Sequence, residues 1–310
     1  MMRAPKEELE IVRRMIREGN DYYEIMCKAI KEDNVEVVDM LLYCGADPNM
    51  TGEQGDFGTI AITKCNVEIL TMLQICGERT LCQRITDYIW DLLYMICKNE
   101  GYYYYQAEKD EVLEGYDKIF KLLEVPELEL NKYQTDGGYS LLMMACEHGK
   151  HHIALKLLER KELDVNIVNI NNRSALIIAC MEDDMDEVAL KLLERENIDV
   201  NIVDKDGNSV LMIACRYGKQ HVVMKLLGRP DVDVDGLGKI ADVALMWACK
   251  NNMEEIALKI LEKTMVTIFY VDLHDKTAIN YATENKMYSV ISRITEITQR
   301  ELFEYEEVFM

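Results

Sequence analysis

The chain reads as an all-α solenoid: stacked helix pairs joined by short hairpin loops. Three observations predict this. One phrase recurs as Ser140-Leu141-Leu142-Met143-Met144-Ala145-Cys146, Ser174-Ala175-Leu176-Ile177-Ile178-Ala179-Cys180, Ser209-Val210-Leu211-Met212-Ile213-Ala214-Cys215 and Val243-Ala244-Leu245-Met246-Trp247-Ala248-Cys249, with a degenerate fifth copy from Thr277 to Thr283. The alanines at 145, 179, 214, 248 and 282 lie 34, 35, 34 and 34 residues apart. Within each period the apolar spacing changes from helical to extended, as in a stack whose single units cannot bury their apolar faces alone.

The unit from Asn172 to Asn201 shows the grammar. Ser174 is placed to cap a helix. Leu176, Ala179 and Cys180 form its apolar stripe. Met181-Glu182-Asp183-Asp184 turns the chain, and a second helix is expected from about Met185 to Arg195, with Val188, Leu192 and Leu193 inward. Ile198 to Val203 is extended and β-branched, and Asp204-Lys205-Asp206-Gly207-Asn208 supplies a tight tip.

The remaining chain divides around this pattern. Residues 1–21 read as an N-terminal capping helix, centred on Pro5 to Arg17. Residues 22–131 are divergent repeats. The first ends Gly45-Ala46-Asp47-Pro48-Asn49. The third begins at Leu92, has its second helix from Tyr116 to Val125, and carries an insertion at 101–114 between its two helices that opens with Tyr102-Tyr103-Tyr104-Tyr105. Residues 132–276 hold four well-matched units, and 277–310 a capping repeat with an acidic tail. Polar end units are what keep such stacks from polymerising.

Composition limits the function. The net charge is −21, with 29% charged and 49% apolar residues. Such a chain repels phosphate backbones and anionic membranes unless it carries a basic stripe, and the sequence shows none. The charge suits solubility and, as a sharper reading, a basic protein partner. No apolar run approaches the ~18 residues a membrane span requires, and the first twenty residues are no signal peptide. Ten cysteines without a C-x-x-C point to reduced thiols in a cytoplasmic or nuclear setting, not to zinc. Cys146, Cys180, Cys215 and Cys249 recur at one position, as small buried packing residues.

These residues resemble the ankyrin repeat family. Asp204, Gly207, Ser209, Leu211, Ala214, Gly218, Leu226, Leu227 and Asp233 match its pattern in one unit, and Ser140, Leu142, Ala145, Gly149, Leu157, Leu158, Asp164 and Asn166 in another. The resemblance covers about residues 22 to 300, strongly over 139–283 and weakly over 51–131. Departures are specific. The family's Pro is replaced by Leu141, Ala175, Val210, Ala244 and Ala278, and its His by Met143, Ile177, Met212, Met246 and Asn280. Apolar contact must therefore replace that histidine's hydrogen bonds. The turn from second helix to hairpin has one residue more at Leu158/Asp164, Leu193/Asp199 and Leu227/Asp233 than at Leu42/Asp47, and has lost its Gly, so local deviation is expected there.

The resemblance implies a monomeric, non-catalytic protein-binding module, an adaptor, scaffold or inhibitor, using a concave face of hairpin tips and first-helix positions. By register these are Tyr139, Arg173, Asn208, Asp242 and Lys276 before each Ser/Thr position, and Glu147/His148, Met181/Glu182, Arg216/Tyr217, Lys250/Asn251 and Glu284/Asn285 before the inter-helix Gly. Tyr217, Arg216, Tyr139 and Arg173 are the expected anchors, because Tyr and Arg dominate hot spots. Trp247 either joins that face or fills a gap between repeats. Tyr102 to Tyr105 either form a recognition loop or pack the insertion. The resemblance also offers Asn166 and Asn201, in L-x5-D-h-N loops, as candidate hydroxylation sites; otherwise each braces its hairpin. His148, His151 and His152 are split by Gly149 and are not expected to hold a metal. No catalytic motif is present and no cofactor is expected. The alternatives are a structural spacer, or an enzyme with its site hidden in residues 51–131.

Overall fold

Seven-residue helices do not persist alone in water, because the first turn fixes several residues for a single hydrogen bond. Packing must therefore hold each one. The structure, a computed structural model, describes residues 14, 22–77, 80–98, 106–131, 137–236, 243–264 and 266–309. Apart from Arg14, which is helical, the expected N-terminal helix lies outside these residues, as do Tyr102 to Tyr105 and Asp242. The chain divides into two units, residues 1–132 and 133–310.

In the first unit, α1 (Tyr23–Lys31) and α2 (Val35–Tyr43) form one pair, and α3 (Phe57–Lys64) and α4 (Val67–Ile75) the next. Helix α1 packs on α3 and α2 on α4. Between the pairs, β1 (Thr51–Gly52) and β2 (Gly55–Asp56) make a small antiparallel hairpin. It is pinned by Tyr23, whose hydroxyl donates to the Gly55 carbonyl at 2.6 Å and accepts from the Gln54 N–H at 3.0 Å. Gly52 is required there, since a Cβ would lie 2.5 Å from the Tyr23 ring. Asp56 caps α3 through the Thr59 N–H at 2.8 Å and meets the Arg84 guanidinium at 2.7 Å.

The third pair departs from the expectation. Its helices are α5 (Leu81–Lys98) and α6 (Gln106–Leu122), 18 and 17 residues long. Residues 106–114 of the expected insertion are thus the first turns of the second helix, not a segment between the helices. Leu92 likewise falls inside α5 and does not begin it. Asp91 and Gly115 could have interrupted these stretches, but tertiary packing overrides them: α5 packs on α6 with Leu93, Ile96, Ile119 and Leu122 buried, and an added Cβ on Gly115 would lie 3.3 Å from the Ile96 side chain. Leu92, Leu93 and Ile96 are buried, whereas Tyr94 and Met95 are each 54% exposed, unlike Met143 and Met144 in the same expected register.

The second unit contains five regular pairs: α7 (Leu141–Glu147) with α8 (His151–Leu158), α9 (Ala175–Met181) with α10 (Asp186–Leu192), α11 (Val210–Arg216) with α12 (Gln220–Leu227), α13 (Ala244–Lys250) with α14 (Glu254–Lys263), and α15 (Ala278–Glu284) with α16 (Tyr288–Phe309). First helices pack on first helices and second on second throughout. The serine hydroxyls of Ser140, Ser174 and Ser209 accept from the Met143, Ile177 and Met212 N–H groups at 3.3, 3.4 and 3.3 Å, capping as expected. Ala145, Ala179, Ala214, Ala248 and Ala282 are fully buried, which lets successive first helices approach closely. Met143, Ile177, Met212 and Met246 are buried where the family carries His, so apolar packing holds that seam. The expected acidic tail from Glu301 to Phe309 is a continuation of α16.

The turns after the second helices deviate as the spacing foretold. In the first unit Gly45 makes this turn at φ +98, whereas no residue from 159 to 163 or 194 to 198 takes a left-handed conformation. A cation from the next repeat reaches each of these longer turns, arginine in two and lysine in the third. The Arg195 guanidinium donates to the carbonyls of Leu158, Arg160, Lys161 and Leu163 in the preceding repeat, at 3.1–3.2 Å. Arg229 reaches the Leu193 carbonyl and Lys263 the Arg229 carbonyl, at 3.4 and 3.3 Å. Carbonyls at a helix C-terminus lack intrahelical partners, and a forked cation satisfies them.

Candidate functional site

The hairpin tips of the second unit are built by one device, used three times. The side chain of Asn169, Asp204 or Asp272 accepts from the backbone N–H groups two and four residues on, at 2.8–3.1 Å. Each tip turns at a left-handed residue: Gly138, Asn172, Gly207 or Asp275. Backbone bonds lace one tip to the next, from the Ile170 N–H to the Gly137 carbonyl and from the Lys205 N–H to the Asn171 carbonyl, each at 3.0 Å. The residues thrust outward, Ile170 and Leu273, are 57% and 72% exposed. The sequence reading missed both. Their signal was an apolar residue directly after the Asn or Asp that ties the tip.

The other half of the surface is the exposed end of each first helix. Glu147, His148, Arg216, Tyr217, Lys250 and Asn251 are exposed; Tyr139, Arg173, Met181, Glu182, Asn208, Trp247 and Lys276 are half-buried. The structure brings these together along one edge, but they do different work. The Tyr139 hydroxyl meets the Glu147 carboxylate at 2.8 Å. Burial first, then that carboxylate, raises the Tyr139 pKa. Arg173 faces Asp204 at 3.9 Å, and Asn208 donates to the same carboxylate at 3.1 Å. Asn251 clamps the preceding first helix, donating to the Cys215 and Arg216 carbonyls at 2.8 and 2.9 Å. Asn285 repeats this on Cys249 and Lys250 at 2.8 and 3.2 Å. At the equivalent position Tyr217 stands 45% exposed.

Charge divides the edge. Burial first, then the carboxylates of Glu147 and Asp183, push the Glu182 carboxyl above its usual range. The turn holding it is one residue longer than its counterparts, so the left-handed residue is Asp184 where other repeats have Gly149 or Gly218. Lys219 secures that turn from the next repeat, donating to the Glu182 carbonyl and the Asp186 carboxylate at 2.7 Å each. Further along the series, Arg216 and Lys250 lie over the Trp247 ring at 5.0 and 4.6 Å, so Trp247 joins the exposed edge.

Asn166 and Asn201 are braces. The Asn166 amide donates to the Asn197 carbonyl at 2.7 Å and accepts from the Asp199 N–H at 2.8 Å; Asn201 does the same with Asp231 and Asp233, at 2.7 and 2.9 Å. The His151 and His152 rings lie 3.7 Å apart, but among the described residues no group of three His, Cys, Asp or Glu is arranged to hold a metal ion. No helix among them is long and apolar enough to cross a membrane.

Comparison with known proteins agrees with this architecture. The family model "Ankyrin repeats (3 copies)" matches residues 111–204, 185–268 and 211–299, and the model "Ankyrin repeat" matches residues 25–53. No curated protein matches the chain. The chain is similar to the crystallised ankyrin repeat protein EF0377, at 21% identity and a TM-score of 0.47, over 59% of this chain and 90% of that one. With stacked helix pairs, laced hairpin tips and family models spanning more than half its length, the chain belongs to the ankyrin repeat family.

Proposed function

We propose that the protein is a non-catalytic adaptor, scaffold or inhibitor, gripping a protein partner with the first-helix ends and hairpin tips of residues 137–285. Ankyrin repeats are generally protein-binding modules, which supports the class. One observation supports the location. The first helices α7, α11 and α13 bury almost every side chain from the cap onward, yet end in exposed acidic, cationic or aromatic residues at the same register, and the hairpin tips expose Ile170 and Leu273. A polar-rimmed surface with aromatic and arginine anchors is the anatomy of a specific interface. Tyr217 is the central anchor, because its counterparts Asn251 and Asn285 are bound to neighbouring backbone. In this reading the module works as a monomer in the cytoplasm or nucleus, and the Glu147–Glu182 end of the edge receives basic groups of the partner. Asparagine hydroxylation at Asn166 or Asn201 would modify two braces of the scaffold.

Proximity labelling with mass spectrometry, repeated with Tyr217→Ala plus Arg173→Ala, tests this. The expected result is a defined set of neighbours lost in the double variant while the thermal melt is kept. A neighbour set unchanged by the substitutions would instead indicate a spacer.

A further inference from the structure

Along first helices α11, α13 and α15, cations and aromatic rings alternate. Arg216 and Lys250 both sit over Trp247, at 5.0 and 4.6 Å from its centroid. Lys250 also lies 5.5 Å from the Tyr281 ring, and Lys276 5.2 Å. The rings hold these cations by their negative faces. Two like charges over one indole nevertheless repel each other. Among the described residues neither Arg216 nor Lys250 forms an ion pair; Lys276 pairs with Glu284 at 2.6 Å. In a chain of net charge −21, this is a local reversal of sign.

We propose that this ladder takes an acidic peptide segment, whose Asp or Glu carboxylates dock on Arg216 and Lys250 across Trp247. The inference rests on the protein-binding reading and names the chemistry of one part of the partner. A carboxylate there neutralises two cations that now oppose each other. The length fits a peptide. Neighbouring helices stand about 8–10 Å apart, so three of them span what roughly six extended residues cover. A nucleic-acid strand fits less well, because the same edge continues to Glu147, Glu182 and Asp183, which repel phosphate. A partner segment with acidic residues at one end and basic residues at the other would match the whole edge in one direction only.

The test uses the full chain carrying Trp90→Phe, which leaves Trp247 as the single indole. It is titrated with a Glu/Ser peptide of about ten residues, with the same peptide carrying Lys for Glu, and with an oligouridylate of equal length. Calorimetry on the unsubstituted chain repeats each titration in case Trp90→Phe disturbs folding. The expected result is saturable binding of the acidic peptide alone, with a change in Trp247 emission. Binding should be at least about tenfold weaker in Arg216→Glu plus Lys250→Glu and should weaken with added salt. The proposal is overturned if the acidic peptide does not bind, if the Lys peptide or the RNA binds as well or better, or if the double variant binds unchanged. Should it fail while the labelling experiment still finds Tyr217-dependent neighbours, only this inference falls. Should those neighbours be absent too, the protein-binding reading falls with it.

Discussion

Glu182 shows how a side chain can be strained by its surroundings and still be useful. Its carboxyl is pushed up by burial and by Glu147 and Asp183, so the folded state holds the proton more tightly than the unfolded chain. Stability therefore drops as pH rises from the ordinary glutamate pKa, about 4.3, through the folded value, and stays lower above it. Glu182→Gln should raise the melting temperature at pH 7, and the gain should vanish below about pH 4. Melts at both pH values check this. The four stacked thiols respond to burial in the same direction: Cys180 and Cys249 are pushed to about 12, and Cys146 and Cys215 higher still. Thiolate, the reactive form, is then scarce at neutral pH. Iodoacetamide should label exposed Cys76 on the native protein and leave these four unmodified until denaturant is added, as peptide mass spectrometry would show. Asp56 runs the other way. Burial disfavours its charge, but the Thr59 hydrogen bonds and Arg84 outweigh that and hold its pKa below the usual range. Its contribution is present at neutral pH and is lost as pH falls through that lowered value. Asp56→Ala should lose about 1 kcal/mol at pH 7 in denaturant titrations, and less in acid.

At the scale of the element, the turn matters more than the helix. The helices could be read directly, because the cap, the apolar stripe and the buried alanine all lie within one short window. The longer turns after the second helices could be foreseen only as irregular, since Arg195 finds its four carbonyls 32 to 37 residues upstream. Arg195→Ala should destabilise the protein by roughly 1–3 kcal/mol, because the turn's carbonyls lose a charged hydrogen-bond donor. Arg195→Lys should recover only part, because a point charge cannot fork across those carbonyls. Equilibrium unfolding of the pair measures both. The long helices α5 and α6 were the misreading at this scale. Asp91, directly before Leu92, is a residue type that can start a helix, but α5 packs on α6 and stays continuous through that point.

For the whole molecule, stability in a stack is a sum of units and nearest-neighbour seams. Within residues 133–310, α9 to α12 are packed by helix pairs on both sides, whereas α15 and α16 are packed by α13 and α14 on one side. Native-state hydrogen exchange should therefore find the amides of α9 to α12 slower than those of α15 and α16. The proposed binding edge follows the same logic at two places, where the next repeat holds a turn or helix end: Lys219 holds the Glu182 turn, and Asn251 holds the end of α11.

The sequence alone determined the period, the regular helix pairs, the capping serines, and the buried alanines and cysteines. All of these depend on spacing within a single repeat, which the chain states locally. The tertiary structure decided which residues at one register position are clamps, like Asn251 and Asn285, and which are displayed, like Tyr217. It also decided that Trp247 sits beneath two cations, and that arginine replaces a lost glycine. Those outcomes depend on what the adjacent repeat brings within about 3 Å for a hydrogen bond or 6 Å for a ring. No residue carries that information about itself.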